Sequence, residues 1–433
     1  MVPESKLKKI QIAARKLRLS PVSARNAVLK SAADLLMANE KEILKANALD
    51  LKALPSSTAP AFRDRLVLDS SRISHMAESL RQVAALEDPL AGESGHKVLA
   101  NGLKLKKVRS PLGVIFMIFE SRPNVAVEAF SMGFKAGNAM ILRGGKESGK
   151  TVAALYDILK KALKKNDISE DVLWGITNPD RKIVNSLLTQ KKYIDVVVPR
   201  GGEGLIEFVV NNSLIPIIKN DRGLCHVYVH ADADLDQAVR ILVNAKTQRP
   251  AVCNSMETIL VHESVAKNLL PRVFDAMASF CVQWYADKKA LGILKAHQAA
   301  NPHLGQKGQI GLVGQSKIKA ASKRNWNTEY LDQIVNCKVV KSVDEAIQHI
   351  EEHGSRHSES ILTASETTAR KFQNEIDAAV VYWNASTRFT DGFEFGLGGE
   401  LGISTQKLHI RGPVGVLALT NERWIADGTG QIR

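Results

Sequence analysis

Apolar residues recur at Ala24, Ala27, Val28, Ala32, Leu35 and Leu36, behind a Ser20-Pro21 pair. Intervals of three and four predict a helix that buries one face, with Ser20 as its cap and Pro21 as its first residue. The stretch KVLANGLKLKKV (97–108) carries Asn101-Gly102 between two extended segments. That dipeptide favours a two-residue hairpin turn, so a projecting arm is expected. Beyond it, VIFMIF (114–119), AMIL (139–142) and IDVVV (194–198) are apolar runs that each end in polar or glycine-rich turns and lead into helical periodicity. Strands alternating with helices predict an α/β fold with a parallel sheet, whose ligands sit on loops at the carboxyl ends of the strands. From about Cys225 the pattern restarts with HVYVH and then TILVH (258–262), which predicts a second α/β unit.

Composition narrows the class. At 433 residues, two or three domains are expected. The start, MVPESKLKKI, is polar and basic and precedes no long apolar run, so a cytoplasmic protein with no membrane contact is expected. The net charge of +14 is spread over dispersed Lys and Arg, and only 5% of residues are aromatic, so no nucleic-acid partner is expected. Cys225, Cys253, Cys281 and Cys337 are scattered, with no CxxC pair and no histidine spacing of a zinc site. They read as reduced thiols, and no metal is expected.

Two glycine turns carry candidate chemistry. GGKESGKT (144–151) matches the phosphate-loop pattern GxxxxGK[ST] between a strand and a helix, so one reading is a nucleotide triphosphatase with Lys150 on the phosphates and Thr151 on magnesium. That chemistry also needs a carboxylate at the end of a second apolar strand. Asp195 lies at the wrong end of IDVVV, and Asp232 comes two residues late in YVHADAD. RGGEG (200–204) lacks the third glycine of a dinucleotide fingerprint; it reads equally as a phosphate cradle at a helix start or as a plain turn.

Among the cysteines, Cys225, Cys281 and Cys337 have apolar neighbours and read as packing residues. Cys253 stands apart in KTQRPAVCN (246–254), flanked by Lys246, Arg249, Asn254 and Glu257 on a segment that proline holds outside regular structure. Neighbouring cations favour a thiolate, which makes Cys253 the candidate nucleophile.

Six blocks in order, SPLGVIFMIFESRPN (110–124), KAGNAMILRGGKES (135–148), VVVPRGGEGL (196–205), CHVYV (225–229), NAKTQRPAVCN (244–254) and NASTRFTDGFEFGLGGELGISTQKLHIRGP (384–413), resemble the aldehyde dehydrogenase superfamily and, within it, the gamma-glutamyl phosphate reductases. The resemblance implies an aldehyde dehydrogenase-like fold. Residues 1–96, 109–224 and 400–417 would form an NADP-binding domain and 225–399 a catalytic domain; 97–108 and 418–433 would form an oligomerisation arm, closed by TNERWIA (420–426). It makes GGKESGKT a cofactor-side turn.

The resemblance also implies the chemistry. Cys253 would attack the acyl carbon of L-glutamyl 5-phosphate, releasing phosphate and leaving a thioester, with the Asn124 amide meeting the oxyanion. Hydride from NADPH would then give L-glutamate 5-semialdehyde, in the second step of proline biosynthesis. Arg143 and Lys146 would pair with the 2′-phosphate, Gly201 and Gly202 would admit the pyrophosphate, and Glu329 would hold the nicotinamide ribose. Arg122, Arg249 and Arg388 would bind the anionic substrate. Asn220 falls where hydrolytic members carry a water-activating glutamate, and an amide cannot act as a base. Asp221-Arg222 replaces a family glycine pair, Arg356 replaces a glycine, and LGQKGQIGLVGQSKIKAASKRNWN (304–327) matches nothing in the family. A homo-oligomer is expected. The acyl phosphate would come from a separate glutamate 5-kinase.

Overall fold

A computed structural model describes residues 2–120, 122–219, 222–301 and 316–433. Asn220, Asp221 and the first half of the unmatched stretch, 304–315, therefore lie outside the described residues. The arm consists of β1 (Glu93–Val98) and β2 (Lys104–Pro111), paired antiparallel. Its turn differs from the expected one. Gly102 N–H donates to the Leu99 carbonyl at 2.8 Å, Leu99 N–H donates to Leu103, and only Gly102 has positive φ (+85°). A two-residue Asn-Gly turn would need positive φ at both positions. The loop is instead three residues long, with glycine at the left-handed position. The strand Thr420–Asp427, which contains TNERWIA, lies antiparallel on the other side of β2, with Thr420 opposite Pro111 and Asp427 opposite Lys104.

The chain divides into two compact units. The first comprises Met1–Asn220, Phe395–Gly402 and Gln406–Arg433. Its parallel sheet contains β3 (Val114–Phe119), β4 (Ala139–Arg143), β5 (Leu173–Ile176) and β6 (Val196–Arg200), in the order β5-β4-β3-β6. Every residue of β3 is buried, as a strand covered on both faces must be. The chain moves outward from β3 to β4 and β5, then returns to lay β6 against the other side of β3. The switch point of the sheet thus falls between β3 and β6, where Phe119 pairs with Arg200.

Sequence periodicity placed this sheet approximately. IDVVV begins its strand at Val196, because Asp195 turns its carboxylate to accept the Val114 N–H at 2.8 Å. The four-residue β5 was not anticipated. The helix after Ser20 runs Val22–Ala38 and buries Val28, Ala32 and Leu36 as expected, together with Leu29 and Ala33. Ser20 does not cap it: its hydroxyl donates to the Leu17 carbonyl of the preceding helix, while the Pro21 carbonyl takes the first helical bonds.

The second unit, Asp221–Glu394 with Ile403–Thr405, restarts near the expected point. Its seven-stranded parallel sheet contains β7 (Cys225–Val229), β8 (Met256–His262), β9 (Gln283–Ala286), β10 (Ile318–Ala320), β11 (Ile334–Val340), β12 (Ser358–Leu362) and β13 (Val380–Trp383). Their order is β10-β9-β11-β8-β7-β12-β13. Cys225 and Cys337 are buried packing residues, as expected. Cys281 is half-buried instead, at the left-handed end (φ +54°) of a short helical turn.

One buried group in this unit ties stability to pH. His349 packs edge-on against His226 and Trp326, and its Nδ1 accepts from the Lys338 ammonium at 3.3 Å. Burial pushes its pKa down to about 2, and the neighbouring His226, Lys338 and His353 push the same way. The folded ring stays neutral while the unfolded ring, with its ordinary value near 6.5, takes up a proton on acidification. Stability from this group is therefore complete above about pH 6.5 and falls as pH drops toward the folded value. In urea unfolding at pH 5.5 and 4.5, His349→Gln is expected to gain about 1.4 kcal/mol per pH unit on the wild type as pH falls. Parallel curves would refute the assignment.

Candidate active site

In the first unit the candidate residues gather on turns at the carboxyl ends of β3, β4 and β6. Glu120, Arg122 and Asn124 follow β3, with Asn124 opening the helix Asn124–Lys135. Its amide Nδ2 donates to Glu128 at 2.6 Å. Arg143 ends β4 half-buried and donates to the Pro179 carbonyl at 3.2 Å, while Lys146 is exposed on the next turn. Burial lowers the Arg143 guanidinium below its ordinary range; Glu147 opposes this, and the like charge of nearby Arg181 adds to it. Gly201 and Gly202 join β6 to the helix Glu203–Asn212. There the Gly202 N–H already donates to the Glu120 carboxylate at 2.9 Å, and a Cβ on Gly201 would lie 2.5 Å from that carboxylate.

GGKESGKT does not form a phosphate site. The amides at the start of the helix Gly149–Lys165 face Asp50: Thr151 N–H and Oγ donate to its carboxylate at 2.8 and 2.7 Å, and Lys150 N–H at 3.2 Å. A carboxylate of the chain itself occupies the place of the phosphate, and Thr151 is fully buried, away from any magnesium. The triphosphatase reading fails on this contact. Asp50→Ala is expected to lower the unfolding free energy by about 2 kcal/mol, as loss of a buried helix cap does. Lys150→Ala should leave turnover and unfolding unchanged within error, and a large loss of turnover in that variant would restore the phosphate role.

In the second unit Cys253 lies on a turn between the helix Leu235–Thr247 and β8, closed by Ser255 N–H donating to the Val252 carbonyl. The residue is half-buried. Several contacts fix the loop around it. The Cys225 thiol donates to the Cys253 carbonyl at 3.2 Å. The neighbouring Asn254 amide donates to the Thr390 carbonyl at 2.8 Å, and the Thr387 hydroxyl donates to the Asn254 carbonyl at 2.7 Å. Lys246 and Glu257, at opposite ends of the loop, form a buried ion pair at 3.2 Å. Burial lifts the Glu257 carboxyl to about 7 and depresses the Lys246 ammonium, with the pairing opposing both shifts.

Two of the expected arginines meet here. Arg388 bonds the Asn254 and Gln248 side chains, and its guanidinium is lowered first by burial and next by the like charge of Arg249, with Asp391 the main group opposing the shift. Glu329 accepts the Gly223 N–H at 2.8 Å. Gly223 in turn lies so close to Cys253 that a Cβ there would fall 1.6 Å from the Cys253 carbonyl oxygen.

Gly223, Cys253 and Glu329 precede β7, β8 and β11, and Arg388, which follows β13, reaches back to Asn254. The second sheet therefore carries its site at the amino edge of its strands, against the expectation drawn for parallel sheets. The physical consequence concerns charge. The helix leading into Cys253 presents its carboxyl end, whose partial negative charge opposes an anion. A thiolate or phosphate here would need side-chain cations, for which Arg388 and its neighbour in charge, Arg249, are the candidates. Among the described residues, no cluster of His, Cys, Asp and Glu could hold a metal ion.

The aldehyde dehydrogenase family model matches residues 4–301. The chain belongs to the aldehyde dehydrogenase family. Within that family it resembles the gamma-glutamyl phosphate reductases of Lachnospira eligens, at 45% identity over 98% of each chain, and of Nautilia profundicola, at 42% over 99% of each. The solved gamma-glutamyl phosphate reductase of Thermotoga maritima superposes with a TM-score of 0.91 at 40% identity, covering 99% of each chain. An acetylating aldehyde dehydrogenase from Geobacillus thermoglucosidasius shares the fold, with a TM-score of 0.71 at 17% identity over 99% of this chain and 97% of its own. Aldehyde dehydrogenases use a nicotinamide cofactor. The first unit suits one: a glycine turn opens a helix at the sheet's switch point, and Arg143, Lys146 and Arg181 gather beyond β4 and β5.

Sequence reasoning missed Gly223, Glu128, Arg181 and the Lys246–Glu257 pair. Only Glu257 and Lys246 carried a signal, as oppositely charged residues flanking the cysteine segment. The other three depend on contacts or on charges that no local pattern marks as special.

Proposed function

We propose that this chain reduces L-glutamyl 5-phosphate to L-glutamate 5-semialdehyde and phosphate with NADPH, in proline biosynthesis. The observation that carries the reading is that Cys253, unlike Cys225 and Cys337, is not sealed in the core, and stands on a braced loop whose Asn254 bonds the Arg388 guanidinium. The Cys253 thiolate attacks the acyl carbon, the bond from that carbon to the phosphate oxygen breaks, and phosphate leaves with the electron pair. The Asn124 amide donates to the oxyanion formed on the way. Arg122, Arg249 and Arg388 bind the substrate's anionic groups. The nicotinamide, when bound, supplies the hydride that converts the thioester to the aldehyde and frees the thiolate.

For the cofactor, Gly201 and Gly202 approach the pyrophosphate, Glu329 holds the nicotinamide ribose, and Arg143 and Lys146 bind the 2′-phosphate. Glu120 must release Gly202 if that N–H is to reach a phosphate. The acyl phosphate is too labile to store, so a separate glutamate 5-kinase supplies it. The outer edges of β1 and of Thr420–Asp427 suit strand pairing with further copies of the chain.

The decisive assay runs the reaction backward with semialdehyde, NADP and phosphate. NADPH formation should require phosphate, and turnover that ignores phosphate would point to a hydrolytic dehydrogenase. Arg143→Glu should raise the KM for NADPH by about tenfold or more while sparing NADH turnover.

A further inference from the structure

We propose that Glu128, backed by Arg200, is a positioning residue that fixes the Asn124 amide as a hydrogen-bond donor; this rests on the reading of Asn124 as the oxyanion donor. Asn124 and Glu128 are one turn apart on the helix Asn124–Lys135, and the amide nitrogen meets Glu128 Oε1 at 2.6 Å. A carboxylate only accepts, so it selects the NH2 end of the amide over the carbonyl end. The terminal torsion of an asparagine is otherwise broad and nearly twofold. Released from Glu128, the amide would turn its carbonyl oxygen toward a developing oxyanion for part of the time, and the two would repel. With one N–H held by Glu128, the second N–H of the same planar group keeps a fixed direction.

Arg200 makes this arrangement tolerable for an anionic reaction. Its Nη1 lies 3.4 Å from Glu128 Oε2 and also donates to the Glu400 carbonyl at 3.4 Å. It stands at the end of β6, opposite Phe119 at the end of β3, so the two neighbouring strand ends bring the cation to the carboxylate. Glu128 and Arg200 remain about a quarter exposed (29% and 25%), so as a plain surface pair they would contribute little to stability. Their geometry is better explained by what they do to Asn124: the carboxylate orients the amide, and the guanidinium offsets the carboxylate's charge.

A double-mutant cycle tests this with the full-length protein, reading kcat, the KM for NADPH and the urea midpoint. Glu128→Ala should lower kcat by about tenfold or more, leaving the KM for NADPH within twofold and the midpoint little changed. Glu128→Gln, which keeps an acceptor oxygen, should recover part of the rate, and it also serves if the alanine variant folds poorly. In an Asn124→Ala background, Glu128→Ala should have no further effect on kcat. The inference is overturned if Glu128→Ala turns over within twofold of wild type, or if it lowers kcat by the same factor with and without Asn124. Wild-type kcat in Asn124→Ala alone would instead sink the oxyanion reading beneath it.

Discussion

Cys253→Ala is expected to lower phosphate-dependent turnover by at least about 10⁴-fold, since removal of a covalent nucleophile leaves only binding and oxyanion stabilisation. The thioester itself should be visible. Wild-type protein given semialdehyde and NADP without phosphate should gain one glutamyl group on the peptide containing Cys253, and lose it when phosphate is added. Cys225 is a poor substitute nucleophile: its thiol is fully buried, burial raises its pKa well above the ordinary thiol value, and it is committed to the Cys253 carbonyl. An adduct on Cys225 or Cys281, or wild-type rate in Cys253→Ala, would remove the proposed mechanism.

Gly223→Ala should also slow turnover strongly although it changes no reacting atom. The added Cβ would lie 1.6 Å from the carbonyl oxygen of Cys253, 2.4 Å from its carbonyl carbon and 2.7 Å from its Cα. All three are backbone atoms, so no side-chain rotation relieves the clash, and the cysteine turn must move. A displacement near 1 Å costs on the order of 10²-fold in rate. The shift also strains the Gly223 contact to Glu329, so the loss should appear in kcat together with slower alkylation of Cys253 by iodoacetamide. Turnover within twofold of wild type would show that the loop tolerates the movement and that its bracing does not set the rate.

Charge tells a similar story on a larger scale. In the first unit, backbone amides at helix starts are already occupied by carboxylates of the chain: Asp50 faces Lys150 and Thr151, and Glu120 faces Gly202. The first is a buried structural cap. The second is exposed and lies at the switch point, where a ligand phosphate can compete for the same N–H. The two turns look alike as glycine-rich strings followed by helices, and only the position of a distant carboxylate separates them.

By itself the sequence determined the α/β class, the helix Val22–Ala38 and most strands of the first sheet. The 3.6-residue periodicity of Val22–Ala38 and the unbroken apolar run of β3 report burial directly, because a residue's side of a helix or strand follows from its spacing. The six ordered blocks marked the family, and the charged flanks of Cys253 singled it out as the candidate nucleophile. Tertiary structure alone decided which edge of the second sheet carries the cysteine, that Gly223 must lack a side chain, that Asp50 closes the false phosphate loop, and that Glu128 and Arg200 stand behind Asn124. Each of these depends on groups distant in sequence or on the direction of a side chain. Such meetings leave no periodic trace, since they arise only when strands pair and bring separate turns to one end of a sheet.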